Sequence, residues 1–199
     1  MMKITKYSLK KDGEKQISKH FKVKEFRSYG DTILIDTELV KMIELFMKLF
    51  SCKSAVITSG YRTPAHDRDV GGTGSGYHVK GCAVDIKFYY DEKCKKPVES
   101  WKVCCAFADM GANGVAKIND YAVHIDNGSR TIGWRGDESN SYVNYSIPNR
   151  DFYKYFNKTR KQVYTLQRPK VSVWNVKGNN IQVGANSWIT FDDLRGDGE

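Results

Sequence analysis

Two histidines and an aspartate have the residue types and the spacing that a catalytic metal ion requires. His78 and Asp85 are seven residues apart, and Gly81 between them allows the chain to turn so that the two side chains converge. His124 lies in the short apolar segment 122–126, where strand alternation separates it from its apolar neighbours. Catalytic zinc sites use three protein ligands and keep one position open for water. The sequence therefore predicts one Zn²⁺ bound by these three residues.

The apolar surroundings of Asp85 are the physical reason for this prediction. It stands between Val84 and Ile86 in an apolar segment, and an unpaired carboxylate is costly to bury. A bound cation would offset that cost. The alternative is that His78 and His124 are structural histidines, hydrogen-bonded to neighbouring aspartates.

Further charged residues could complete the chemistry of a hydrolase. Asp126 follows His124 on the same strand face, about 6.6–7 Å further along, where it could orient a ligand or reach a bound water. Asp120 has the same parity but lies in or beside a turn. Zinc lowers the pKa of its bound water to about 7, and a nearby carboxylate can then take the proton. Arg62 could hold a substrate carboxylate or stabilise an oxyanion.

The other two histidines are expected to lie outside this centre. His66 follows a proline that suits the first turn of a helix, which indicates a helix-surface residue. His20 is far from the three predicted ligands along the chain. A surface or packing role is expected for it, with a fourth ligand as the alternative.

The elements that must position the site are short and of mixed type. An apolar stripe at helical spacing predicts a helix from about residue 37 to 50, capped by Asp36 or Thr37. Pro97 and Gly111 bracket another helix. The remaining elements are a strand at 55–59, a short helix at 64–70, a strand at 82–88, and two strands at 114–118 and 121–126 joined by a turn. This order predicts an α+β domain with a small antiparallel sheet flanked by helices.

Two segments are predicted to line a substrate cleft. The glycine-rich loop 71–76 lacks the lysine ending of a phosphate-binding loop, so it is interpreted as a cleft wall, with Ser75 and Tyr77 as substrate contacts. Residues 127–150 are predicted to form a loop over the site, with Trp134 as a further contact.

Composition limits the class of protein. The 199 residues include 32 lysines and arginines against 23 acidic residues, a formal charge of +9. A basic surface suits polyanions such as nucleic acid, anionic membranes or wall polymers, although scattered lysines can simply aid solubility. Five cysteines without regular spacing argue against a disulfide framework and for a reducing compartment. The sequence shows neither a signal peptide nor an apolar run long enough for a membrane span.

The length suggests one domain with an appendage. Residues 1–150 are predicted to form the metal-binding domain. Residues 151–199 form a basic, aromatic extension, which is either a β-hairpin packed on that domain or a rudimentary binding element, since about forty residues rarely fold alone.

Three motifs together resemble the family of zinc D-Ala-D-Ala carboxypeptidases. They are residues 59–64 (SGYRTP), His78-x6-Asp85 with Gly81 inside it, and residues 123–126 (VHID). That family includes vancomycin-resistance dipeptidases, murein endopeptidases and phage L-Ala-D-Glu endolysins, and residues 20–26 resemble its phage and prophage branch. The resemblance covers roughly residues 18–135. It implies the α+β scaffold shared with the hedgehog domain.

The resemblance also implies roles for particular residues. His78, Asp85 and His124 would bind the zinc, and Arg62 would engage the substrate. Two positions depart from the family pattern. Gly76 stands where the family has a serine, with Ser75 one step earlier. Tyr121 stands where the family has its acid/base carboxylate, which makes Asp120 the first candidate for the base and Asp126 the second.

The resemblance implies a monomeric zinc peptidase that cuts peptidoglycan stem peptides as a phage or prophage lysin. Such a protein would be made in the bacterial cytoplasm without its own signal peptide and would act at the wall after release by a holin or lysis. Neither nucleic acid nor a membrane is expected as a partner, since the chain has no basic helix or RNP-like strand to support nucleic-acid binding. The alternative function is a non-catalytic, zinc-containing wall-binding module.

Overall fold

The computed structural model describes residues 2–26, 29–129 and 134–137, together with three strands further along the chain. The first part contains β1 (Ile4–Ser8), α1 (Leu9–Asp12), a 3-10 turn (Val23–Phe26), β2 (Thr32–Asp36), α2 (Thr37–Leu49), β3 (Ser54–Ser59), α3 (Pro64–Asp69) and β4 (Ala83–Tyr89). It continues with α4 (Ser100–Asp109), β5 (Gly114–Lys117), β6 (Val123–Asp126) and β7 (Trp134–Asp137).

The central sheet has five strands in the order β3-β4-β6-β5-β7. All neighbours are antiparallel except β5 and β7, which are parallel. Helices α2 and α4 supply much of the core beside this sheet. The predicted α+β class is confirmed, and the predicted turn between β5 and β6 joins two paired strands.

Helix α2 has the apolar stripe that the spacing predicts. Asp36 caps its first turn, because the carboxylate accepts a hydrogen bond from the Glu38 N–H. The fully buried ring of Phe46 lies 4.3 Å from the ring of Phe50 and 4.5 Å from that of Phe88 on β4. Burial of a phenylalanine contributes about 1.5–3 kcal/mol, so this cluster is a main link between helix and sheet.

Helix α4 begins later than Pro97 indicates. Pro97 pairs with Tyr89 in an isolated bridge, and the Val98 N–H donates to the Phe88 carbonyl. These residues therefore extend the edge of the sheet, and the helix begins only at Ser100. Cys104 and Cys105 are fully buried in α4, and all five cysteines are free.

The N-terminal segment contains a strand that the sequence pattern did not indicate. β1 pairs antiparallel with β2 over its whole length, from Ile4 opposite Asp36 to Ser8 opposite Thr32. The carboxylate of Asp36 also accepts from the Lys3 N–H and from the Asn127 side chain, which links the N-terminus to the segment after β6.

The later strands are β8 (Asn175–Lys177), β9 (Asn180–Gly184) and β10 (Ser187–Thr190), which form an antiparallel sheet in the order β10-β9-β8. Residues 138–174 lie outside the described residues, as does most of the predicted cleft loop 127–150. The division at residue 150 and the packing of the extension stay predictions. Among the described helices, none has the length and apolarity that a membrane crossing requires.

Candidate metal centre

The three residues predicted as ligands meet at one point. His78 Nε2 lies 3.2 Å from His124 Nδ1, His124 Nδ1 lies 3.0 Å from Asp85 Oδ1, and Asp85 Oδ1 lies 3.3 Å from His78 Nε2. A tetrahedral zinc with bonds of about 2.0–2.1 Å would place its donors roughly 3.3–3.4 Å apart. The triangle is therefore close to the size that zinc needs, and its two imidazoles and one carboxylate suit that metal.

The sheet and one tight turn produce this convergence. Asp85 on β4 stands directly opposite His124 on β6 in the antiparallel register, so that both lie on the same face. His78 enters from the segment before β4. Gly81 has a φ of +75°, and a Cβ there would lie 2.4 Å from Leu34, so the turn that separates His78 from β4 needs glycine.

Each imidazole is fixed by a hydrogen bond on its other nitrogen. The Nδ1–H of His78 donates to the Gly60 carbonyl at 2.8 Å, which directs Nε2 to the centre. His124 pairs its Nε2 with Asp126 Oδ2 at 3.1 Å, which directs Nδ1 to the same point. Each ring is thus oriented with one nitrogen toward the centre, and a metal ion would require that nitrogen to be unprotonated.

The two candidate bases lie in different surroundings. Asp126 is fully buried beside His124, and its second oxygen accepts from the Gly128 N–H at 2.8 Å. This position fits the orienting role that the strand spacing allowed. The side chain of Asp120 is 78% exposed in the turn before β6, with Lys117 Nζ at 3.0 Å. The role of either residue in proton transfer stays a prediction.

Arg62 contacts the carboxylate oxygen of Asp85 that does not face the two histidines. Its Nη2 donates to Asp85 Oδ2 at 3.1 Å, and its main-chain N–H donates to the His78 carbonyl at 3.3 Å. Its Nε and Nη1 donate to Ser59 Oγ and Asp67 Oδ1. The guanidinium thus holds a predicted ligand, while its predicted contact with substrate stays a prediction.

The predicted substrate contacts are placed to differing extents. Ser75 is exposed in the glycine-rich loop with its hydroxyl 3.1 Å from that of Thr73. The Tyr77 hydroxyl donates to the Ser129 carbonyl at 2.9 Å, which ties the segment before His78 to the segment after β6. Trp134 begins the edge strand β7, and its side chain lies outside the described residues.

The two other histidines have their own partners. His20 Nδ1 lies 2.7 Å from a carboxylate oxygen of Glu44 on α2. The ring of His66 lies 4.3 Å from the ring of Tyr29. Neither belongs to the group of described residues that could hold a metal ion.

The carboxylates and imidazoles of the centre shift one another's pKa values. Burial alone would raise the pKa of Asp85, but hydrogen bonds from His124 and His78 outweigh it and lower that pKa. Burial opposes a charged His124, yet its hydrogen bonds with Asp126 and Asp85 raise its pKa to about 9. Without a metal the cluster thus retains a proton, which a cation must displace in order to bind.

A cavity of about 460 Å³ adjoins the supporting side of the centre. It shares Ser59 and Arg62 with the network around Asp85, and Tyr29 and His66 also line it. Its volume lies within the range of ligand pockets. A larger cavity of about 1190 Å³ runs along α2. Among the described residues, neither lining includes the three predicted ligands, and the smaller cavity is the one that reaches Arg62.

Asp67 is the functional candidate that sequence reasoning missed. It follows His66 on the short helix α3, where a charged residue is ordinarily exposed, yet its side chain is only 5% exposed and contacts Arg62. The partner is close in sequence, but nothing in the local pattern indicates that this face turns inward.

Comparison with known proteins agrees with this geometry. A protein-family model described as Peptidase M15 matches residues 16–126, which is more than half of the chain and includes all three predicted ligands. Neither the curated proteins nor the solved structures give a significant match.

Proposed function

Because the chain belongs to the Peptidase M15 family of zinc peptidases, we propose that it hydrolyses stem-peptide bonds of bacterial peptidoglycan with one zinc ion. The observation that carries this proposal is the triangle of donor atoms on His78, Asp85 and His124. Its size suits zinc, and hydrogen-bond partners already orient both rings.

The described residues divide the work of such a reaction. Two neutral imidazoles and one carboxylate would hold the ion, which would supply a Lewis acid and a bound water with a pKa near 7. Asp126 holds the His124 ring, and Arg62 holds Asp85. Arg62 has further N–H groups that can donate to a substrate carbonyl or carboxylate. Asp120 is the first candidate to accept a proton, with Asp126 second.

The finer proposal is a monomeric endolysin-like endopeptidase, or a D,D- or L,D-carboxypeptidase, of the phage and prophage branch that acts at the wall after release. Its support is the resemblance of residues 20–26 and the excess of basic residues, since wall polymers carry phosphates and carboxylates. Ser75, Tyr77 and Trp134 are the proposed contacts with the stem peptide.

A second candidate function is a non-catalytic zinc module that binds the wall. The observation in its favour is that Tyr121 occupies the position of the family's carboxylate, while Asp120 beside it is exposed and paired with Lys117. If neither Asp120 nor Asp126 reaches the metal-bound water, peptide would bind without being cut.

Digestion of purified peptidoglycan separates the two functions. A zinc peptidase should release new amino termini, lose this activity in a chelator and regain it with Zn²⁺, and mass spectrometry of the fragments should identify the bond. His124→Ala should lose both zinc and activity. Activity that persists in the chelator would discard the mechanism.

The same assay tests the proposed base. Asp120→Asn should lower turnover by about 10²–10⁴-fold while zinc binding is kept, as expected for loss of a general base. Full turnover by this variant would remove Asp120 from the mechanism. Protein that sediments with peptidoglycan and releases no termini would indicate the binding module.

A further inference from the structure

The buried carboxylate of Asp67 joins the glycine-rich loop to the residues around the metal centre. Its Oδ2 accepts from the Gly74 N–H at 2.9 Å, and its main-chain carbonyl accepts from the Gly72 N–H at 2.7 Å. Its Oδ1 accepts from Arg62 Nη1 at 3.3 Å. A buried carboxylate without hydrogen-bond partners is costly in free energy. Burial of Asp67 therefore favours the loop and side-chain conformations in which Gly74 and Arg62 donate to it.

Arg62 carries this constraint to the predicted ligands. The guanidinium is planar, so a contact at Nη1 restricts where Nη2 points. Nη2 holds Asp85 Oδ2 at 3.1 Å, and holding one carboxylate oxygen orients the other, Oδ1, toward the two imidazoles. The path from Asp67 to the donor triangle therefore runs through a single side chain.

Gly72 shows how little room this arrangement leaves. A Cβ at Gly72 would lie 2.3 Å from Asp67 Oδ2, a distance that requires the carboxylate to move. The carboxylate cannot move without giving up its contacts with Arg62 and Gly74. At Gly76, in the same loop, a Cβ would lie 3.9 Å from the same oxygen, which is an ordinary contact.

We propose that Asp67 is a positioning residue for the metal centre, which acts through Arg62 to orient Asp85 and requires glycine at position 72. This inference rests on the proposed function only in that the triangle binds a divalent cation. It predicts that substitutions remote from the metal weaken its binding, because partners that orient a ligand typically contribute 10–100-fold to metal affinity.

Metal affinity, measured by competition with a chromogenic chelator, tests the proposal without any substrate. Asp67→Ala should bind Zn²⁺ at least about 10-fold more weakly than the wild type, and Asp67→Asn should lie between them because it keeps one acceptor oxygen. The control is Asp69→Asn, an exposed acid on the same helix, which should bind as the wild type does. The absorption spectrum of bound Co²⁺ should change in the Asp67 variants, since it reports ligand geometry, which a loss of stability alone would not alter.

A second pair of variants keeps the test decisive if Asp67→Ala does not fold. Gly72→Ala should weaken Zn²⁺ binding, whereas Gly76→Ala should not, and thermal unfolding of the metal-free proteins confirms that both fold. Wild-type affinity and an unchanged Co²⁺ spectrum in both Asp67→Asn and Gly72→Ala would overturn this inference and leave the proposed function standing. A wild-type protein that binds neither ion would overturn both.

Discussion

His78 and His124 face the centre through different ring nitrogens, Nε2 and Nδ1. The difference follows from their partners, because the Gly60 carbonyl occupies Nδ1 of the first ring and Asp126 occupies Nε2 of the second. A carbonyl is a neutral acceptor, whereas the carboxylate of Asp126 adds negative charge to its imidazole and makes it a better donor to a cation.

Asp126→Asn should therefore weaken zinc binding by about 10–100-fold, because the amide removes the negative charge that supports His124. Isothermal titration with Zn²⁺ measures the loss. Asp120→Asn is a suitable control, since its exposed side chain pairs with Lys117 and should not change the affinity. Equal affinities for the two variants would show that Asp126 does not support the ligand.

At the level of elements, the pairing of β4 with β6 determines the site. Asp85 and His124 share a face only in the register observed, since a slip of one residue would turn one of them to the other side of the sheet. The apolar residues Val84 and Ile125 face each other on the core side and favour this register.

The segment before the 3-10 turn is attached to α2 through one acid. Glu44 accepts from the Ser18 hydroxyl at 2.6 Å and from the His20 N–H at 2.9 Å, and it pairs with the His20 ring. Burial would raise the pKa of Glu44, but these hydrogen bonds outweigh it and lower that pKa below 4.5.

The lowered pKa of Glu44 determines how the free energy of unfolding should change with pH. Because the folded pKa lies below the unfolded value, the stabilisation is present above pH 4.5 and is lost as pH falls through the folded pKa. Glu44→Gln should lower the free energy of unfolding by about 1 kcal/mol at pH 7, with a smaller difference at pH 3. Urea titrations at the two pH values measure it. A difference that grows in acid would contradict this assignment.

Local sequence pattern predicted those features of the fold that depend on neighbours along the chain. The alternation around Asp85 and His124 assigned their faces, and helical spacing with Asp36 as cap located α2. It failed where packing or pairing against another element decides. Pro97 suits a helix start, yet it pairs with Tyr89 at the sheet edge.

The candidate site follows the same division. The three candidate ligands could be identified because each residue type is chemically distinctive and each lies in a strand or a turn. The burial of Asp67 could not, because it depends on how α3 folds back onto Arg62. The strand β1 was missed for a similar reason, since it lies in a lysine-rich segment and its pairing with β2 defines it as a strand.

At the scale of the whole molecule, the formal charge of +9 bears on the proposed action at a bacterial wall. Charge attraction to phosphate-bearing polymers acts over about 30 Å at 0.01 M salt but only about 8 Å at 0.15 M. It would raise the local concentration of the protein at the wall without deciding which bond is cut.

Sedimentation with purified walls should therefore weaken steeply as salt rises from 0.01 to 0.15 M. Walls stripped of their phosphate polymers are the matched control and should retain less protein at low salt, with a weaker salt dependence. Retention that is equal on both walls and independent of salt would show that the basic residues serve solubility alone.

The donors at His78 and His124 are 46 residues apart in sequence and meet only when β4 and β6 are paired. An ion bound there would act as a reversible cross-link of the folded chain, and it would stabilise the folded state because the unfolded chain does not bring the donors together. It should slow the rare global opening of the molecule far more than the fraying of its ends. Amide hydrogens in the middle of the sheet would then exchange more slowly in the loaded protein, while those of β1 would exchange at nearly the same rate.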